Sequence, residues 1–192
     1  LGDEILSILD KKGLQHQMAR VDCPTGTVEV TLDDKGVPCY EIKEGVAWDN
    51  IPFTPELEDL AHNTVAVCFG SWAQRNSVSR NTIEKFLDAV PQPPETLMVF
   101  DINIRQNFYS KEIIEISLKR SNSLKINDEE LVIVAKMFEV PSDDVYQQCR
   151  WFIQKYGLKL VILTCGAKGS IVVTTDKEFH AATPKVDVAD TV

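Results

Sequence analysis

Four short polar stretches in this chain each follow an apolar run, at the point where a buried strand would end. The run Thr64–Phe69 is followed by Gly70-Ser71-Trp72-Ala73-Gln74-Arg75. Gly70 lets backbone approach a ligand, and Ser71 and Gln74 can hydrogen-bond hydroxyl groups. An ordinary surface loop would carry the same residues. After Thr96–Phe100 comes Asp101-Ile102-Asn103-Ile104-Arg105. If the strand continues, Asp101, Asn103 and Arg105 share one side, and a cation beside an amide suits an anionic or hydroxyl-rich ligand. An Asp101–Arg105 surface pair explains the pattern equally well.

The third stretch, Asn127-Asp128-Glu129-Glu130, follows Ser123–Ile126. An asparagine and three acids suit a helix start, as cap and as partners of the positive dipole end. Carboxylates so placed can also hold Mg²⁺ through its waters. The fourth, Thr164-Cys165-Gly166-Ala167-Lys168-Gly169-Ser170, follows Leu158–Leu163. Two glycines three apart permit a tight turn whose N–H groups cradle phosphate, assisted by Thr164 or Lys168. A plain β-turn is the structural alternative. The stretch matches neither the GxxxxGK[ST] nor the GxGxxG pattern.

These sites need a scaffold that brings strand ends together, and the hydrophobic periodicity supplies one. Gly2 to Lys12 reads as a helix with Ile5, Leu6, Ile8 and Leu9 on its apolar stripe and Gly13 as its stop. Met18–Val21 and Gly26–Leu32 alternate apolar and polar residues, Asp33–Gly36 is a turn, and Pro38–Ile42 returns as a second strand. From Thr54 onward strand and helix alternate. Helices are expected over Pro55–His62, Ser77–Val90, Ser110–Arg120, Asp128–Phe138 and Ser142–Tyr156, with Pro91–Pro94 as a break. The apolar runs between them read as strands buried on both faces, and Gly169–Thr174 with Glu178–Ala181 as a closing hairpin. The expected fold is α/β, a mostly parallel sheet with helices on both faces.

The 192 residues carry a net charge of −9, which argues against a nucleic-acid or anionic-membrane surface, while backbone N–H groups can still hold phosphates. No apolar run approaches the length of a membrane span. Cys23, Cys39, Cys68, Cys149 and Cys165 are odd in number and lack CxxC spacing. They read as free thiols of a reducing compartment such as the cytoplasm.

Taken in order, FGSWAQR, FDINIRQNFYS, LKINDEEL, VILTCGAKGS and VDVADTV resemble the ribokinase/PfkB carbohydrate-kinase family. The stretch PTGTVEVTLDDKGVPCYEIKEGVAWDNI is similar to the β-lid of its fructokinase-like members. The resemblance implies a ribokinase-like three-layer fold, with residues 1–14 and 46–192 forming the α/β core and 15–45 a small β-lid. It implies ATP and Mg²⁺ as cofactors, K⁺ as a further ion, and a sugar as the small-molecule partner. Asn127 and Glu130 match the NxxE motif that organises Mg²⁺ and phosphates, Glu130 acting through water. Thr164, Cys165, Gly166, Ala167, Lys168 and Gly169 match the nucleotide loop.

By the same resemblance, Arg105 matches a basic residue near the sugar and the transferred phosphate, and Asp190 and Thr191 open the DTxGAGD signature. Asp190's counterpart helps bind a monovalent cation. Ser71, Gln74 and Asn103 join Arg105 as expected sugar contacts. The GAGD segment with its catalytic aspartate falls beyond Val192, and the GG motif and the first sugar-binding aspartate fall before Leu1, so the chain alone is expected to have little kinase activity. The expected reaction is ATP-dependent phosphorylation of a sugar hydroxyl, fructose first. Other PfkB-family substrates (ketodeoxygluconate, ribose, nucleosides) or a non-catalytic sugar- or nucleotide-binding role remain alternatives. A homodimer through the lid is also expected.

Overall fold

The structure, a computed structural model, describes residues 1–32, 34, 38–93 and 96–185. The chain divides into two compact units: Leu1–Thr64 with Ala73–Pro91, and Val65–Trp72 with the described part of Gln92–Val192. Asp33, Lys35 and Gly36 of the expected turn, Pro94 of the expected break, and Asp190, Thr191 and Val192 lie outside the described residues.

The first unit contains helices α1 (Gly2–Lys11), α2 (Pro55–His62) and α3 (Ser77–Ala89), and a two-stranded ribbon of β1 (Val28–Leu32) and β2 (Pro38–Ile42). Local chemistry sets the helix starts. Thr54 accepts the Leu57 N–H with Pro55 in the first turn, and Asn76 accepts the Val78 N–H. Gly13, at φ +65°, stops α1 as its sequence suggests. The apolar stripe of α1 buries no residue, and Ile5 and Ile8 are exposed. Met18–Val21, expected as a strand, pairs with no strand among the described residues, so its alternation is unsupported by a ladder.

The ribbon pairs Val28 with Ile42, Glu29 with Glu41 and Val30 with Tyr40, and every residue of β1 is exposed. Glu29 and Glu41 stand directly opposite, an unfavourable like-charge pair. Lys43 offsets it by reaching Glu29 Oε2 at 3.1 Å and Glu41 Oε1 at 2.8 Å.

Beyond the ribbon the chain enters a buried polar knot. Arg75 Nε donates to Asp49 Oδ1 at 2.6 Å, and its Nη2 donates to Asp49 Oδ2 at 2.8 Å and to the Lys43 carbonyl at 2.5 Å. Asp49 also accepts the Gly45 and Val46 N–H groups. Ser79 accepts the Ile51 N–H and donates to the Trp48 carbonyl, and Thr82 donates to the Ile51 carbonyl. Gly26 lies flat on the Trp48 indole, where an added Cβ would come within 2.4 Å of the ring.

The second unit is a six-stranded sheet in the order β3 (Ala66–Gly70), β4 (Leu97–Asp101), β5 (Ser123–Asn127), β6 (Leu160–Thr164), β7 (Ser170–Val173) and β8 (Glu178–Ala181). The first four strands are parallel and the last two antiparallel, the mostly parallel sheet and closing hairpin expected. Helix α4 (Lys111–Lys119) links β4 to β5, and α5 (Asp128–Met137) with α6 (Val145–Tyr156) links β5 to β6. Both links step the same way along the sheet, so right-handed crossovers put all three helices on one face.

The strands expected to be buried on both faces instead alternate. Phe69, Met98, Phe100, Leu124, Ile126, Val161 and Leu163 are buried, while Leu97 is exposed and Val99, Lys125 and Ile162 are half-buried. The core comes from the first set and from Ile114, Leu118, Leu131, Val134 and Phe152 of the three helices. A fully buried side chain of this size contributes roughly 1.5–3 kcal/mol. Ser110 caps α4 through the Ile113 N–H, as expected. Helix α6 starts at Val145 rather than Ser142, because Asp144 is its cap.

Candidate active site

In parallel register Asn127 lies beside Thr164, so the start of α5 and the loop after β6 meet at the carboxyl ends of neighbouring strands. Such strand ends are where open α/β sheets bind ligands. A cleft of about 550 Å³ opens there, lined by Asn127, Asp128, Glu129, Thr164, Gly166, Gly169, Ser170 and Ala181–Pro184.

The α5 wall is fixed by a reciprocal cap. Asn127 Oδ1 accepts the Glu130 N–H at 2.7 Å, and Glu130 Oε2 accepts the Asn127 N–H at 3.0 Å. The other oxygen of Glu130 accepts the Ile104 N–H at 2.8 Å. Glu130 is thereby buried with both oxygens on backbone amides, and it ties the loop after β4 to the start of α5. Asp128 and Glu129, not Glu130, face the cleft. Among the described residues no three His, Cys, Asp or Glu side chains are gathered to hold a metal ion.

The opposite wall is a short 3-10 turn, Gly166–Lys168. The Cys165 N–H donates to the Gly169 carbonyl at 2.8 Å, and the Gly169 N–H to the Gly166 carbonyl at 3.1 Å. Gly166 has φ +53° with open space where a side chain would stand, so backbone is presented to the cleft. Gly169 has φ +100°, and a Cβ there would stand 2.1 Å from the Ala181 carbonyl oxygen. Thr183 donates to the Gly166 carbonyl and closes the turn against the chain after β8. Cys165, Ala167 and Lys168 do not line the cleft, and Ala167 and Lys168 point to solvent. Burial, with Asp128 nearby, pushes the Cys165 thiol up from its ordinary range.

The remaining expected site residues do not line this cleft. Ser71 is fully buried and donates its hydroxyl hydrogen to the Ile102 carbonyl. Asn103 and Arg105 are exposed, and Arg105 Nη1 donates to the Ile104 carbonyl. The expected alternation of Asp101, Asn103 and Arg105 fails because the strand ends at Asp101 and Asn103 turns to φ +42°. Asp101 pairs with Lys125 rather than Arg105. Lys125 sits inside an apolar run, where no local pattern marks it as the partner of Asp101. Gln74 is buried in the first unit, and Arg80 Nε donates to its carbonyl. Asp190, the expected cation ligand, lies outside the described residues.

The sequence pattern described as pfkB family carbohydrate kinase matches residues 1–192. A fructokinase of Rhizobium leguminosarum bv. trifolii is 26% identical over 198 residues, covering 100% of this chain and 58% of the relative. An aminoimidazole riboside kinase of Salmonella typhimurium is 27% identical over 99 residues, 49% of this chain and 29% of the relative. The solved fructokinase of Vibrio cholerae with fructose, ADP and calcium bound has a TM-score of 0.73 and 20% identity, over 99% of this chain and 61% of that one. A sugar kinase of Pyrococcus horikoshii solved with ATP has the same score and identity, over 99% and 60%. The chain thus spans less than two thirds of each of these relatives, and the solved structures carry the same ribokinase-like α/β fold. With its whole length matched, this chain belongs to the pfkB family of carbohydrate kinases.

Proposed function

We propose that this chain supplies the nucleotide-binding part of an ATP-dependent sugar kinase, with fructose as the first substrate to test. The observation that carries the reading is the cleft where the capped start of α5 faces the glycine turn after β6. Free N–H groups of a helix start and a side-chain-free backbone suit a polyphosphate, so the residues present fit ATP. Thr164, Gly166 and Gly169 would bed the nucleotide, with Cys165, Ala167 and Lys168 setting the turn between them. Asp128 and Glu129 would hold Mg²⁺ through its waters. Asn127 and Glu130 hold that wall in place, and Glu130 also fixes the loop that carries Arg105. When bound, ATP supplies the phosphoryl group and Mg²⁺ neutralises its charge.

In this reading Arg105, Asn103, Ser71 and Gln74 serve the sugar side, Arg105 attracting the charge that passes between the two substrates. Residues 15–45 are the lid segment, and the exposed Val28, Val30 and Leu32 support either a closing or a dimer-forming face. The base that deprotonates the sugar hydroxyl is assigned to the signature that Asp190 and Thr191 open. The test is an ADP-release assay across fructose, ribose, ketodeoxygluconate and nucleosides, with equilibrium dialysis of ATP and Mg²⁺ against this chain. ATP retention by the chain and sugar-dependent ADP release by the protein containing it are expected. Absence of ATP binding sinks the reading, and ADP release with another substrate corrects the sugar.

A further inference from the structure

The ribbon of β1 and β2 is wholly exposed along β1, and an isolated two-stranded ribbon is marginal in water. What fixes its direction must therefore lie at its root. Lys43, the first residue after β2, serves two purposes. Its ammonium ties Glu29 to Glu41 across the ribbon, and its carbonyl is gripped by the Arg75 guanidinium. That guanidinium is itself buried, its side chain 6% exposed, and doubly bonded to Asp49, 2% exposed. Asp49 in turn holds the Gly45 and Val46 amides, so residues 43–49 close into a loop around one planar fork.

Arg75 is also the residue after Gln74, whose carbonyl is held by Arg80 of α3. The same short segment thus carries the fork that sets the ribbon's root and a buried amide proposed for the sugar. Only an arginine can donate in parallel to a carboxylate and still reach a carbonyl; a lysine offers a point charge. We propose that Arg75 is a positioning residue that sets the angle of the ribbon relative to Gln74 and thereby tunes sugar affinity. The sugar part of this inference rests on the kinase reading; the ribbon part does not.

The test uses spin labels at Cys39, on β2, and at Ser77→Cys, on the exposed start of α3, with the other cysteines replaced by alanine. The unaltered root is expected to give one narrow distance distribution. Arg75→Met is expected to broaden it, and Arg75→Lys, which keeps the charge in the slot, to broaden it less. Lys43→Met removes the Glu29–Glu41 tie but not the carbonyl contact, and is expected to leave it narrow. An unchanged distribution in both Arg75 variants overturns the proposal, as does equal broadening by Lys43→Met. In the sugar-dependent ADP-release assay, Arg75→Lys is expected to raise the sugar KM about tenfold with the ATP KM unchanged. Equal rises in both constants overturn the sugar role. If the unaltered protein phosphorylates no sugar, the kinase reading fails, while the distances still decide whether Arg75 sets the ribbon.

Discussion

Lys125 holds both carboxylate oxygens of Asp101, at 3.0 and 2.9 Å, across the ends of two adjacent parallel strands. The side chains are 41% and 31% exposed, so solvent screens the pair. Lys125→Met is accordingly expected to cost under about 1 kcal/mol in urea denaturation. A loss well above that would make the pair a brace of the strand ends.

Glu130 should be far less tolerant. It is buried and accepts one amide from its own helix start and one from Ile104. Glu130→Gln keeps the volume but offers one acceptor oxygen where two amides need partners. A charge-assisted bond contributes roughly 1.5–3 kcal/mol, so a loss of about 2 kcal/mol in chemical denaturation is expected. ATP binding should weaken with it, because the loop and the cap move together.

The two glycines of the nucleotide turn predict a graded pair. Gly166→Ala meets open space but keeps a left-handed backbone, and should cost about 1–2 kcal/mol. Gly169→Ala adds a collision with the Ala181 carbonyl to its own unfavourable φ, and should cost more. Thermal denaturation of the two variants side by side checks the order, and a milder Gly169→Ala would contradict the described turn.

Acid should loosen the first unit through Asp49. Burial raises its carboxyl, but the Arg75 hydrogen bonds and the Val46 and Gly45 amides outweigh this and hold it below the ordinary 3.8. A depressed folded value means stability fully present above about 3.8 and lost as pH falls through the folded value. Circular dichroism on lowering the pH from about 5 should show this loss. Asp49→Asn should flatten the acid limb while lowering stability near neutrality, since Arg75 stays buried without its charge partner.

Thiol labelling offers a check on burial. Cys149 is fully buried, and burial pushes its thiol up to about 12. Cys39 is exposed, whereas Cys68 is exposed but raised by partial burial and by Asp101. A maleimide should label Cys39 first, Cys68 more slowly, and Cys149 only on unfolding. Early modification of Cys149 would contradict the packing of α6.

The strand and helix order from Thr54 onward was legible because period, caps and apolar runs agree there; Thr54, Ser110 and Asn127 all cap as their residue types suggest. What the one-dimensional pattern hid depends on pairing. A run such as Leu160–Thr164 is apolar at nearly every position, yet only Val161 and Leu163 are buried, which follows from helices on one face. The turn at Asn103 arises from a left-handed backbone that no spacing rule signals. Asp49 and Arg75 lie 26 residues apart, with nothing local to announce their pairing. At the site, the spacing of Asn127 and Glu130 gave their association, but not that Glu130 would turn toward Ile104 and leave the cleft to Asp128 and Glu129.

The register of β5 on β6 has one more consequence. Leu163 faces the core and Thr164 the cleft, so slipping the strand by a single residue would drive the hydroxyl inward and the leucine out. The apolar alternation therefore works as an aiming device, and a misaligned molecule forfeits its core and its ligand bed together. Damage to Val161 or Leu163 should then appear as fewer working molecules, each with ordinary nucleotide affinity, rather than as a full population that binds poorly.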